Sequence, residues 1–66
     1  MPMIRVEMFE GRSLDQKRAL VRALTDGFLS TCGGDPEGVK VHIIEVAHEN
    51  WSAAGILASD KASGAP

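Results

Sequence analysis

The chain has 66 residues, with seven lysines and arginines against nine aspartates and glutamates and a formal charge of -2 at pH 7. That acidic balance, with basic residues scattered along the chain, excludes the phosphate-binding patch of a nucleic-acid reader. No apolar run approaches the roughly 20 residues of a membrane span and no basic start leads into a signal-type segment, so a cytoplasmic protein with no membrane partner is expected. Cys32, the single cysteine, excludes an internal disulfide, and no Cys/His cluster offers a metal site. One domain over residues 1–66 is expected, at a size where folding buries only roughly 60% of the unfolded chain's surface. Association with further copies is the remedy open to it.

In chain order, Met3 to Phe9 alternates, with Ile4, Val6 and Met8 on one face and Arg5 and Glu7 on the other. This is the period-two pattern of a strand. Ser13 and Gln16 then stand at capping-box spacing. Beyond them Leu20, Val21, Leu24, Phe28 and Cys32 recur at three- and four-residue steps, while Asp15, Lys17, Arg18, Arg22 and Asp26 take the opposite side. The pattern predicts an amphipathic helix from Leu14 to about Cys32. Gly33 and Gly34 stop it and Asp35-Pro36 forbids continuation.

Residues 39–47 (VKVHIIEVA) are rich in β-branched side chains and read as a second strand buried largely on both faces, as in a parallel sheet. Strand, helix, strand is a βαβ unit, and its right-handed crossover makes the strands parallel neighbours with the helix on one face. The fold class is thus α/β (α+β), one βαβ unit with a short hairpin or arm over residues 50–57 and a small, polar, mobile tail over residues 58–66. A two-stranded sheet with one bare face and two open edges again demands other copies.

Pro2 is the residue whose chemistry stands out. If Met1 is removed, the chain starts with a secondary amine, whose pKa begins near the ordinary α-amino value of about 8. An apolar pocket beside cations would lower that value and leave a neutral base at pH 7 without any cofactor. Cys32 reads as a structural thiol at a helix C-terminus, where a thiolate is disfavoured. His42 and His48 lack metal-ligand spacing and are assigned to packing and surface. Gly33-Gly34 lacks the strand–loop–helix order of a phosphate site and is only a cap.

Pro2 before a strand, "EGRS" with Arg12, "QKRALV" in the helix, "VKVHIIEV" in the second strand and Trp51 a few residues later resemble the short-chain 4-oxalocrotonate tautomerases of the tautomerase superfamily. The resemblance implies a hexamer of βαβ subunits, homo-oligomeric or mixed with a related chain. It implies that Pro2 is the general base and acid, that Arg12 binds a substrate carboxylate, and that Trp51 and Phe9 belong to the substrate-binding wall. Lys40 falls where the family has its second arginine, a departure that keeps the charge but loses the bidentate fork. Ser52-Ala53-Ala54-Gly55 replaces a glycine-rich turn, and the family's closing arginines are missing.

The expected activity is a cofactor-independent, metal-free tautomerisation of 2-hydroxydienoate or 2-oxo acids such as 2-hydroxymuconate, in aromatic hydrocarbon catabolism. Catalysis is assigned to Pro2, Arg12 and Lys40, and substrate binding to Phe9, Arg12, Lys40 and Trp51. The alternatives are a phenylpyruvate-type enol–keto tautomerase, a haloacrylate hydratase or dehalogenase, or a non-catalytic acid-binding oligomer. A hydratase needs a carboxylate to activate water, and Glu7, Glu45 and Glu49 are not obviously placed for it by sequence.

Overall fold

The computed structural model describes residues 2–62. Strand β1 (Met3–Phe9), helix α1 (Leu14–Cys32) and strand β2 (Lys40–Val46) form the βαβ unit, and β3 (Ser52–Ala53), β4 (Ile56–Leu57) and α2 (Ala58–Ala62) follow. β1 and β2 pair in parallel from Met3↔Lys40 to Phe9↔Val46. Single 3₁₀ turns at Pro36–Gly38 and His48–Asn50 bracket β2, which trims the expected strand of residues 39–47 by one residue at each end.

Helix α1 begins as its sequence dictates. The Ser13 hydroxyl accepts from the Gln16 N–H at 3.1 Å, and the Gln16 side-chain oxygen accepts from the Ser13 N–H at 2.8 Å. At the far end the Gly33 N–H donates to Leu29 O at 3.0 Å. Leu20, Val21, Leu24 and Phe28 are among the half-buried positions of the helix, with Lys17, Thr25 and Leu29, and Cys32, expected on that face, is exposed. Strand alternation puts Ile4, Val6, Met8, Val41, Ile43 and Glu45 on the face that α1 covers. There the Lys17 ammonium donates to the Glu45 carboxylate at 2.6 Å, tying helix to sheet with both side chains about a third exposed.

The opposite face carries Met3, Arg5, Glu7 and Phe9 beside Lys40, His42, Ile44 and Val46, and among the described residues His48 and Trp51 cover only its Phe9 end. The second strand is therefore not buried on both faces within one copy: each of its residues is intermediate or exposed, and Val39, which precedes it, is the one buried hydrophobic residue among the described residues. The accessible surface is 4903 Å² for 7.0 kDa, against about 4000 Å² for a compact monomer of that mass. The radius of gyration is 15.6 Å, where about 11 Å is usual for this length.

The arm is a two-residue hairpin, with Ser52↔Leu57 and Ala53↔Ile56 paired antiparallel across Ala54-Gly55. Both turn residues have positive φ, 54° and 77°, the combination that a hairpin turn matched to strand twist requires. The residues 58–66, expected as a mobile tail, begin instead with α2, because the Ala58 N–H donates to Trp51 O at 2.8 Å and seats the segment on the arm. Residues 63–66 of that tail lie outside the described residues. Among the described residues, no helix is long and apolar enough to cross a membrane.

Candidate active site

The residues that the sequence singles out fall into two groups at opposite ends of the sheet. Pro2, half-buried, precedes β1, and its carbonyl accepts from the Lys40 N–H at 3.0 Å. Lys40 starts β2 beside it, exposed, with its ammonium donating to Glu37 O at 2.9 Å. Pro2 and the Lys40 cation therefore share the end of the sheet where both strands begin.

The second group sits where the strands finish. Gly11, at φ 122°, turns the chain out of β1 in a conformation that residues with a Cβ rarely adopt. The turn lets Arg12 fold back so that its Nη1 donates to Phe9 O at 3.1 Å. Arg12, Phe9 and Trp51 then line one cleft of about 210 Å³ together with Glu7, Met8 and Val46. Its floor follows from the register, since Glu7, Phe9 and Val46 point from the uncovered face. Trp51, 49% exposed, meets Phe9 edge-on at 5.9 Å.

Two residues of this group escape the sequence reading. His48, assigned to packing and surface, lies parallel to the Phe9 ring with centroids 4.1 Å apart. The 3₁₀ turn His48–Asn50 is what carries it back over the strand end. Glu7 brings a carboxylate into the Arg12 cleft, whereas Glu45 is already engaged by Lys17. The period-two pattern already put Glu7 on the face opposite Ile4 and Val6, but nothing in it said that Arg12 would fold onto that face.

Seven strand steps separate Pro2 from Phe9, which at about 3.3 Å per residue is roughly 23 Å. One chain thus presents two half-sites that cannot meet on a single small substrate. A cleft with one guanidinium and aromatic walls can hold a small anion, and an amine beside a cation can move a proton against a stabilised negative charge. Among the described residues no cluster of side chains could hold a metal ion.

Comparison with known proteins agrees with this geometry. Residues 1–54 match the family model described as tautomerase enzyme. A 2-hydroxymuconate tautomerase of Comamonas testosteroni is 37% identical over 60 residues, covering 91% of this chain and 95% of that one. Among solved structures, the 4-oxalocrotonate tautomerase isozymes from Methylibium petroleiphilum superpose with a TM-score of 0.91 at 34% identity, covering 97% of this chain and 100% of theirs. A heterohexameric 4-oxalocrotonate tautomerase from Chloroflexus aurantiacus J-10-fl gives 0.83 at 33% identity, over 91% of this chain and 97% of that one.

Proposed function

The chain belongs to the tautomerase superfamily as an isomerase of the 4-oxalocrotonate tautomerase type, and on that premise we propose that it moves a proton within a 2-hydroxydienoate such as 2-hydroxymuconate, using Pro2 freed by removal of Met1. The observation that carries this reading is the pairing of ends: Pro2 with Lys40 at one end of the sheet, Arg12 with Phe9 and Trp51 at the other. The heterohexamer above supplies a precedent for assembly of several copies.

In the mechanism, the neutral Pro2 nitrogen takes the proton from the 2-hydroxyl of the dienol. The oxygen electron pair forms the 2-oxo group, the conjugated double bonds shift, and the distal carbon takes the proton back from the Pro2 ammonium. Lys40 stabilises the developing dienolate at the Pro2 end, and Arg12 of a neighbouring copy holds the far carboxylate. Charge stabilisation of this kind is the largest contribution expected, and the positioned base adds about 10²–10⁴-fold. A second reading, enol–keto tautomerisation of an arylpyruvate, draws support from the aromatic wall of Phe9, His48 and Trp51.

Intact-mass measurement of the N-terminus followed by a ketonisation assay on 2-hydroxydienoates and arylpyruvates tests the reading. Turnover by the chain that begins at Pro2, and none by the form that keeps Met1, is the expected result. Equal turnover by both forms would rule out the amine mechanism, because an imide nitrogen has no basic electron pair.

A further inference from the structure

Of the two histidines of the chain, His42 is the one within the sheet, on its uncovered face, and β1 places Arg5 directly opposite it. Adjacent strands lie about 4.8 Å apart and same-face neighbours along one strand about 6.6 Å. Lys40 and Ile44 therefore flank the imidazole on β2, while Met3 and Glu7 lie diagonally across from it on β1. His48 and Trp51 reach only the Phe9 end of this face. The charged groups that face His42 in one copy are thus two cations, Arg5 and Lys40, and one carboxylate, Glu7, which is paired in register with Ile44. Arg5, Glu7 and His42 form no hydrogen bond or ion pair with any described residue.

We propose that His42 makes the association of copies through this face depend on pH: they join while the imidazole is neutral and separate as it takes up a proton. A further copy is the occupant that the observations favour, since the accessible surface of 4903 Å² exceeds that of a compact monomer and a relative assembles as a heterohexamer. A copy that brings the same face brings the same Arg5, Lys40 and Glu7, with cations again in excess. Covering the face removes the water that screens these charges, so like charges repel more strongly and any left unpaired carries a desolvation cost. A neutral imidazole adds nothing to that imbalance, whereas an imidazolium adds a third cation to a face with one carboxylate. Separated chains then bind more protons than the assembly does. Association is accordingly strong above the imidazole range and weakens as pH falls through it.

Between about pH 7.5 and 5.5 the neutral fraction of an ordinary imidazole falls from nearly all to about a tenth, so each imidazole covered should raise the concentration needed for half-association by about tenfold. Sedimentation of the full-length chain over a dilution series reads this, in a fixed urea concentration chosen to half-dissociate the assembly at the higher pH. His42→Gln should show no such rise, although it leaves the Pro2 amine in place, and His48→Gln should keep it. Arg5→Gln, which removes the cation opposite, should shrink the rise and tests the same contact should His42→Gln not fold. A wild-type assembly unchanged between the two pH values, or a chain monomeric without urea at the higher one, overturns the proposal. So does a rise that persists in His42→Gln, is lost in His48→Gln or is undiminished in Arg5→Gln.

Discussion

His48 lies flat on Phe9, with ring centroids 4.1 Å apart and planes 10° from parallel, and Trp51 meets the same phenyl at 78°. Phe9 is thereby held from two directions by residues that follow β2, although it ends β1. Aromatic contacts of this kind contribute about 0.5–1.5 kcal/mol beyond the area they bury. They fix the wall against which a substrate held by Arg12 would rest.

Replacing His48 with alanine should accordingly raise KM by roughly three- to tenfold, the equivalent of one such contact, with kcat nearly unchanged. His48→Phe should restore the wild-type value, because the stack and not the imidazole nitrogens is what positions Phe9. Steady-state kinetics on the preferred substrate check this. A fall in kcat at constant KM would instead make His48 a participant in proton transfer.

The arm makes a second prediction. Ala54 occupies the left-handed region at φ 54°, where a Cβ costs about 1–2 kcal/mol. Glycine removes that cost and gives back part of it in chain entropy. Ala54→Gly should therefore stabilise the folded assembly by about 0.5–1 kcal/mol, read as a rise in the thermal or urea midpoint. The Ala54-Gly55 turn thus places the cost of its left-handed backbone on one residue.

Much of this architecture was legible in the sequence. Two strands and a long helix each bury one face, so period two in Met3–Phe9 and the three-four spacing of Leu20, Val21, Leu24 and Phe28 record them directly. The capping box at Ser13 fixes the helix start to the residue. The helix α2 left no such record: Ala58 to Ala62 is too short and too small-sided to show a period, and it forms because Trp51 O accepts from Ala58 N–H. The candidate residues could be named through resemblance, but their division between the two ends of the sheet could not. Spacing along a chain says nothing of which copy supplies which residue, and only the parallel register shows Pro2 and Arg12 at opposite ends.

Lys40 stands where the resemblance places a second arginine, and its place beside Pro2 makes it testable. Its ammonium acts as a point charge and is held by Glu37 O at 2.9 Å, whereas a guanidinium would grip a carboxylate and the adjacent oxygen together. Lys40→Arg should raise kcat/KM on a dicarboxylate dienol by on the order of tenfold if one charge-assisted hydrogen bond is gained. Lys40→Ala should lower it at least as much. Near-neutral kinetics for both variants would remove Lys40 from the site.

The separation of half-sites leads to the last prediction. Pro2→Ala chains keep Arg12, and Arg12→Ala chains keep Pro2, so each variant alone builds only defective sites. If every site takes its base from one copy and its guanidinium from another, co-assembly restores some sites with both groups intact. Random mixing in equal amounts returns about a quarter of the wild-type sites, since each of the two required residues comes from the right chain half of the time. Activity of the mixture after joint unfolding and refolding, compared with the sum of the two variants refolded apart, measures this. If Pro2 and Arg12 acted within one chain, mixing would restore nothing, because every chain would still lack one of the two. Recovery near a quarter would establish that the sheet's opposite ends meet between copies, which is the arrangement that the bare face and the roughly 23 Å between the half-sites require.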